Sequence, residues 1–227
     1  MNKANYCLQK EGKMTRLILI RHGESKGNAK RAFLGHTNWD VTEKGRAQAE
    51  ATAAFLKNEK IDVIYSSDLI RAYSTAKPIA EDRGLKINTS KKLREIYAGK
   101  WEGKHIAEII AEFPDTYAVW RADTMKAVCD GGESVLELQE RIKREVLRIL
   151  GENKGKTVCI TTHATSIGVF IDYLHRELKD PDYTAFRWVT NASVTTVDFF
   201  DDGSFKIVKE SEDAHLAHIP AEPYRED

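Results

Sequence analysis

The residues best suited to chemistry begin with an arginine and a histidine at the end of an apolar run. Residues 17–20 read Leu-Ile-Leu-Ile and are followed by Arg21, His22 and Gly23. An arginine offers a planar fork of donors that matches phosphate oxygens, and a histidine beside it can act as a nucleophile or carry a proton. A glycine here lets a ligand approach the backbone closely. The three residues therefore indicate phosphoryl chemistry.

Other groups that could hold or protonate a phosphomonoester are spread along the chain. Four donors from separate segments suit the charged oxygens of a phosphate: Arg21, Asn28, Arg71 and His163. The leaving alkoxide needs a proton, and Glu95 is the candidate carboxylic acid, which would later activate water. His22 is the candidate nucleophile, provided that its imidazole is neutral and its second nitrogen donates to a carbonyl.

An alternation of strands and helices has to position these side chains. Apolar runs predict strands over residues 16–21, 62–65, 85–88, 157–162, 194–200 and 205–209. Helical spacing predicts helices over residues 42–57, 134–150 and 166–174. The alternation predicts a three-layer α/β fold, with a mostly parallel sheet and helices on both faces. Ligands of such sheets bind beyond the carboxyl ends of the strands, where Arg21, His22 and His163 lie.

Two helix starts bear on the site. Thr42 is predicted to cap the helix that follows it, and Ser67 or Asp68 is predicted to cap the next one. The second helix carries Arg71 in its first turns. Because unsatisfied N–H groups at a helix N-terminus attract anions, Arg71 adds its charge where a phosphate is already favoured.

Residues 93–132 form the least regular part of the sequence and are predicted to be a lid. The stretch contains four glycines and a proline. Long surface loops on a rigid scaffold commonly carry specificity, so we expect substrate choice to reside here. The aromatic residues Tyr97, Trp101 and Trp120 are interpreted as packing, because aromatic side chains mostly stabilise by burial.

Composition favours a cytoplasmic enzyme. The 227 residues carry 35 basic and 35 acidic side chains, so no overall charge attracts nucleic acid or a membrane surface. No run approaches the roughly 20 apolar residues of a membrane span. The three cysteines are widely spaced, which favours reduced thiols. We expect no metal or cofactor, a small phosphorylated metabolite as partner, and no nucleic acid or membrane; a homodimer is left open.

The chain is predicted to contain one domain over residues 14–212, including the lid. Residues 1–13 lack the apolar core of a signal peptide and are expected to be a disordered extension. Residues 213–227 are expected to be a tail. His215 and His218 have the spacing of a helical metal pair, but no third ligand stands beside them, which favours a solvated tail.

The ordered set of residues resembles the histidine phosphatase superfamily, also called the phosphoglycerate mutase-like family, from about residue 15 to about residue 200. The resemblance implies that fold, a phosphohistidine on His22 and a proton donor at Glu95. It also implies a phosphate-binding set: Arg21, Asn28, Gly35, Arg71, His163 and Ala164. Two positions depart from the family pattern, because Ala164 replaces a usual glycine and Leu34 replaces a polar residue.

Three functions fit this resemblance. A metal-independent phosphomonoesterase is favoured, since the Trp-Glu-Gly and Gly-Gly-Glu-Ser patterns at residues 101–103 and 131–134 resemble those of phosphatase members. A 2,3-bisphosphoglycerate-dependent mutase typically has Arg-His-Tyr-Gly after its glutamate, whereas Glu95 is followed by Ile-Tyr-Ala-Gly. The third alternative is a catalytically silent phosphate-binding or interaction domain. The presence of every catalytic residue type argues against it.

Overall fold

The computed structural model of the protein describes residues 13–219. In this part of the chain six strands form one sheet: β1 Thr15–Arg21, β2 Val63–Ser67, β3 Ile87–Ser90, β4 Thr157–Thr162, β5 Val194–Phe199 and β6 Phe205–Glu212. The α-helices of the same residues are α1 Lys26–Ala29, α2 Glu43–Phe55, α3 Ile70–Glu81, α4 Ile106–Glu112, α5 Pro114–Ala122, α6 Val135–Glu152 and α7 Ala164–Leu178. None of these helices is long and apolar enough to cross a membrane.

The sheet is mostly parallel, as predicted. Its strand order is β3-β2-β4-β1-β5-β6. The first four strands in this order pair in parallel, whereas β5 and β6 form an antiparallel edge. In the pairing of β1 with β4, Arg21 lies opposite Thr162. The residues that follow, His22 and His163, therefore leave the sheet side by side.

Alternate residues of β1 point to opposite faces of the sheet, and both faces are covered. Leu17 and Leu19 pack in one apolar cluster with residues of α6 and α7. Ile18 and Ile20 pack in a second cluster with residues of α2 and α3. Because each is at most 1% exposed, β1 is buried on both sides. This arrangement confirms the predicted three layers.

The predicted helix starts are partly confirmed. Thr42 caps α2 by accepting a hydrogen bond from the Gly45 N–H. The predicted cap of α3 is wrong, since its N-cap residue is Leu69 and the N–H of Ile70 donates to Asn38 Oδ1 at 2.7 Å. The Asp68 carboxylate instead accepts two hydrogen bonds from Arg94.

Some element bounds differ from the prediction. β2 and β3 end two residues later than predicted, and α7 extends beyond residues 166–174 at both ends. Both cysteines within the described residues, Cys129 and Cys159, are buried and free, as expected for reduced thiols. Cys7 lies outside the described residues.

The 93–132 segment is more regular than the sequence indicated. It contains α4, α5 and short 3₁₀ turns at Gly99–Trp101 and Thr124–Lys126. Trp101 is fully buried and Trp120 is 2% exposed. Their rings meet each other and Phe33 at centroid distances of 5.1–5.9 Å. The packing interpretation is confirmed for Trp101, whereas Trp120 packs and also lines the cavity, and Tyr97 is 46% exposed.

The solvated tail expected from residue 213 onward is wrong for residues 213–219. Leu216 is only 3% exposed. His215 Nε2 lies 3.0 Å from Thr52 Oγ1, and its ring stacks on Phe55. An apolar residue and a ring contact therefore fasten this segment to α2. His218 is exposed, and residues 1–12 and 220–227, which hold nearly all of the expected extension and the rest of the tail, lie outside the described residues.

Candidate active site

The carboxyl ends of β1, β4 and β2 bring two histidines and a serine together. The rings of His22 and His163 lie edge to face, with centroids 5.2 Å apart. Ser67, the last residue of β2, places its Oγ 2.8 Å from His163 Nε2. His163 Nδ1 is buried and has no hydrogen-bond partner among residues 13–219. Burial, followed by the charge of Arg71, holds the pKa of His163 well below its usual value.

Two hydrogen bonds define the tautomer of His22. Its Nδ1 lies 2.8 Å from the carbonyl oxygen of Gly23, which can only accept, so Nδ1 carries the proton. Arg71 Nε donates to His22 Nε2 at 3.3 Å, so Nε2 carries the lone pair. Burial and the charges of Arg71 and Arg21 hold the pKa of His22 well below its usual value. The ring is therefore neutral, with its lone pair at Nε2, which is the state that a histidine nucleophile requires.

Backbone carbonyls fix the guanidinium of Arg71. The side chain is fully buried at the start of α3. Nη1 donates to the carbonyl oxygen of Thr37 and Nη2 donates to that of Gly35, both at 2.8 Å. Burial lowers the pKa of Arg71 to about 10, which leaves the group charged near neutral pH. The fixed cation lies directly beside Nε2 of His22.

Glu95 is buried and has an orientation set by backbone N–H groups. Oε1 accepts from the Ile96 N–H at 2.8 Å, and Oε2 accepts from the Thr165 N–H at 3.0 Å. Burial raises the pKa of Glu95 above its usual value, although these hydrogen bonds and the charge of Arg71 oppose the shift. A carboxyl group with a raised pKa is suited to give a proton to a leaving oxygen.

Arg141 of α6 holds the segment that carries Glu95. Its Nη1 donates to the carbonyl oxygen of Arg94 at 2.9 Å, and its Nη2 donates to that of Glu95 at 3.1 Å. The same guanidinium makes two hydrogen bonds to Glu133, at 2.9 Å and 2.7 Å. Glu133, from the Gly-Gly-Glu-Ser pattern, therefore orients Arg141, and Arg141 in turn fixes the backbone of Glu95, the general-acid candidate.

Glu102, from the Trp-Glu-Gly pattern, holds the loop that contacts Arg71. Its carboxylate accepts from the N–H groups of His36, Thr37 and Ala98 at 2.6–3.1 Å. Burial opposes ionisation, but these hydrogen bonds and one from the Thr37 hydroxyl outweigh it and lower the pKa of Glu102. A Cβ at Gly35 would collide with the Glu102 carboxylate and the Ile96 carbonyl. Gly35 thus serves close packing.

The remaining predicted donors approach the site from neighbouring loops. Arg21, at the end of β1, donates from Nη1 to the Val189 carbonyl oxygen at 2.7 Å. Asn28 accepts at Oδ1 from the Ser25 N–H and hydroxyl, at 3.0 Å and 2.8 Å. Its Nδ2 is therefore the atom of Asn28 that remains as a donor for a ligand. Asn191 Nδ2 donates to the His22 carbonyl oxygen at 2.9 Å.

A cavity of about 670 Å³ opens above these residues. Its polar base is formed by Arg21, His22, Asn28, Glu95, Ala164 and Thr165. Its apolar wall is formed by Phe33, Leu34, Ile106, Tyr117, Trp120 and Trp188. Arg31 and His105 are exposed and lie at its rim. Among residues 13–219, no three His, Cys, Asp or Glu side chains are grouped closely enough to hold a metal ion.

The structure brings the predicted residues together, with three of them outside the cavity lining. Arg71 and His163 are fully buried beside His22. Gly35 contributes its carbonyl oxygen to Arg71. Sequence reasoning missed Ser67 as a partner of His163 and the positioning roles of Glu102, Glu133 and Arg141. The Trp-Glu-Gly and Gly-Gly-Glu-Ser patterns contain both glutamates and could have indicated half-buried carboxylates, whereas no sequence signal singled out Arg141.

Comparison with known proteins agrees with this site. A family model described as the histidine phosphatase superfamily (branch 1) matches residues 17–212. Phosphoserine phosphatase 1 of Hydrogenobacter thermophilus is 34% identical over 66% of this chain and 71% of its own length. Phosphoglycerate mutase-like protein 4 of Arabidopsis thaliana is 32% identical over 88% of this chain and 86% of its own. The solved structure of Bacillus stearothermophilus YhfR is 30% identical, with a TM-score of 0.79 over 89% of this chain and 99% of that one. The chain therefore belongs to the histidine phosphatase superfamily and is a phosphatase.

Proposed function

We propose that this phosphatase hydrolyses phosphomonoesters of small metabolites, without a metal ion, through a phosphohistidine on His22. The observation that carries the proposal is the tautomer of His22. Its protonated Nδ1 is bound to the Gly23 carbonyl, and its Nε2 lone pair is held beside Arg71. This is the state that attack on phosphorus requires.

In the first half of the reaction, His22 Nε2 forms a bond to phosphorus as the bond to the ester oxygen breaks. Glu95 gives its proton to the departing alkoxide, which leaves as the alcohol. Arg21, Asn28 and Arg71 stabilise the charge on the other phosphoryl oxygens. His163 Nδ1, which has no partner among the described residues, has the capacity to donate to one of them.

In the second half, water attacks the phosphorus of the phosphohistidine. The Glu95 carboxylate takes a proton from that water, and the bond from phosphorus to His22 Nε2 breaks. Inorganic phosphate leaves, His22 is neutral again and Glu95 is again protonated. The Glu95 pKa, raised by burial, suits this alternation between acid and base.

Hydrolysis is favoured over phosphoglycerate mutation by the surroundings of Glu95. Ile96 and Ala98 are fully buried, and neither they nor Tyr97 lines the cavity. They offer no cation there to hold a second acidic group, which a bisphosphorylated intermediate would need for reorientation. Water is then the expected acceptor of the phosphoryl group.

The test is turnover in the presence of a chelator, combined with rapid quenching. We expect release of inorganic phosphate from a panel of phosphomonoesters and an acid-labile phosphoryl group located on His22 by mass spectrometry. A requirement for added metal, or a phosphoryl group on another residue, would contradict the mechanism. Interconversion of 2- and 3-phosphoglycerate that depends on 2,3-bisphosphoglycerate and releases little phosphate would instead establish a mutase.

A further inference from the structure

The wall of the cavity differs in character from its base. None of the six wall residues, Phe33, Leu34, Ile106, Tyr117, Trp120 and Trp188, carries a charge. Leu34, which departs from the polar residue of the family pattern, lies against Gly27, where a Cβ would collide with the leucine side chain. The wall therefore offers mainly ring and aliphatic carbon atoms to the group attached to the phosphate, while His105, Thr190 and Asn191 also line the cavity.

Ring contacts hold this wall in place. The rings of Phe33 and Trp120 meet edge to face at 5.1 Å, and those of Trp120 and Trp188 lie 5.8 Å apart. Phe186 supports Trp188 from a further edge-to-face contact at 4.8 Å. Phe33 and Tyr117 line the cavity while being only 9% and 8% exposed. A ligand would meet a preformed apolar surface and lose little free energy in ordering it.

The size and charge of the cavity also indicate which leaving alcohol of the substrate would fit. A volume of about 670 Å³ falls in the range of about 300–1,000 Å³ that is typical of sites for drug-sized ligands. A phosphoryl group with a three-carbon acid would leave much of it unfilled. Of the arginines among the described lining residues, Arg21 belongs to the phosphate end and Arg31 lies at the exposed rim. The six wall residues supply no cation for a carboxylate.

We propose that the wall is a subsite for a bulky apolar alcohol, so that the preferred substrate is a phosphomonoester with an aromatic or alicyclic ring a short link away from the phosphate. The inference rests on the proposed phosphatase mechanism and adds the class of leaving alcohol. Trp188 and Leu34 are its specificity-determining residues. The ring packs on Trp188 and Leu34 while the phosphate lies against Arg21 and His22.

The test compares esters of primary alcohols, so that leaving-group basicity changes little across the series. Ethyl phosphate, 2-phenylethyl phosphate, 2-cyclohexylethyl phosphate and O-phospho-L-serine form the set, and kcat/KM is measured for each. We expect both ring esters to exceed ethyl phosphate by about 10- to 200-fold, the range associated with filling an apolar pocket. Phosphoserine is expected to resemble ethyl phosphate. A preference for phosphoserine, or equal values for all four, would overturn the inference and leave the phosphatase mechanism intact.

Substitutions test whether the preference for ring esters depends on the wall residues. Trp188→Ala should lower kcat/KM for the ring esters about 10-fold or more and change that for ethyl phosphate less than about 3-fold. The matched control is Trp39→Ala, since Trp39 stacks with Lys30 and does not line the cavity. An equal loss on every ester would show that Trp188 acts on the catalytic groups. If Trp188→Ala fails to fold, Leu34→Gln serves instead and should lower the ratio of phenylethyl phosphate to phosphoserine.

Phosphonates separate failure of the subsite from failure of the mechanism. 2-Phenylethylphosphonate should bind the wild type, and also His22→Ala, at least about 10-fold more tightly than ethylphosphonate by calorimetry. Tight binding without turnover of any ester would retain the subsite and remove the mechanism. Equal binding of the two phosphonates, together with turnover of the esters, would retain the mechanism and remove the subsite.

Discussion

The base and the wall of the cavity are held by different forces. At the base, His22, Arg71 and Glu95 each have hydrogen bonds to backbone groups that fix individual atoms. At the wall, Phe33 and Trp120 are held by ring packing, without such atom-specific contacts. Hydrogen bonds specify direction, whereas packing specifies shape and volume. Changes at the base should therefore slow every substrate, and changes at the wall should alter the choice among substrates.

The largest effect is expected at the nucleophile. His22→Ala should reduce turnover of every phosphomonoester by at least about 10⁴-fold, because no intermediate can form. Thermal unfolding should show a folded protein, since the imidazole contributes little to the buried sheet. His218→Ala is the matched control, because His218 is exposed. If His22→Ala retained most of the activity on any ester, changes at the base would not slow every substrate, and the expected difference between base and wall would be wrong.

Arg71 should show the next largest effect. Arg71→Ala should lower kcat/KM by about 10²- to 10³-fold, and Arg71→Lys by less, because a lysine keeps the charge but cannot donate to the Thr37 and Gly35 carbonyls and to the phosphate at the same time. The alanine variant also leaves the carbonyls of Gly35 and Thr37 without their donors, which should cost about 1–3 kcal/mol in the free energy of unfolding. Steady-state kinetics and denaturant titration measure the two effects. Equal activity of wild type and Arg71→Ala at low substrate would place Arg71 outside the phosphate site.

Removal of the general acid should depend on the leaving group. Glu95→Gln should slow alkyl phosphates by about 10²-fold or more and an aryl phosphate less, because a phenolate needs less help from an acid. The ratio of the two losses is the informative quantity. The same loss for both esters would show that Glu95 does not protonate the leaving oxygen.

The pH dependence follows from two opposite shifts. Because the pKa of His22 is lowered, its imidazole stays neutral at pH values at which an ordinary histidine is protonated. Because the pKa of Glu95 is raised, its carboxyl group stays protonated at pH values at which an ordinary glutamate is ionised. For an alkyl ester, kcat should therefore fall as pH rises through the Glu95 pKa, which gives an acid optimum. In Glu95→Gln this alkaline decline should disappear. An unchanged decline in the variant would assign it to another group.

The smallest effect is expected at Arg141, which supports the backbone of Glu95 from outside the cavity. Arg141→Met should lower kcat for alkyl esters about 10-fold with little change in KM, because Arg141 holds the Glu95 backbone and does not line the cavity. Arg141→Lys should recover part of the loss. A positioning role also predicts that the aryl ester is less affected, as in Glu95→Gln. A uniform loss that follows thermal stability would indicate a structural role alone.

The residues at the base of the cavity could be predicted from the sequence better than the residues that hold them in place. His22 and His163 each end an apolar run, and adjacent parallel strands necessarily bring such ends together. The contact of Arg141 with the Glu95 segment joins positions 46 residues apart, and neither residue carries a local signal for that pairing. The lid was predicted as irregular because its glycines and proline mark turns, but its two short helices are stabilised by burial of Ile109 in α4 and Trp120 in α5. Such tertiary packing overrides local preference.

One loop belongs to both ends of the cavity, and this matters for protein engineering. Phe33 and Leu34 contribute to the wall, while the carbonyls of Gly35 and Thr37 hold Arg71. A mutant library that randomises residues 33 and 34 to change selectivity is therefore expected to lose many active clones, since altered loop geometry would displace Arg71. Trp188 lies on a separate segment, between α7 and β5. Libraries directed there should tolerate more diversity and supply new selectivities at a smaller loss of rate.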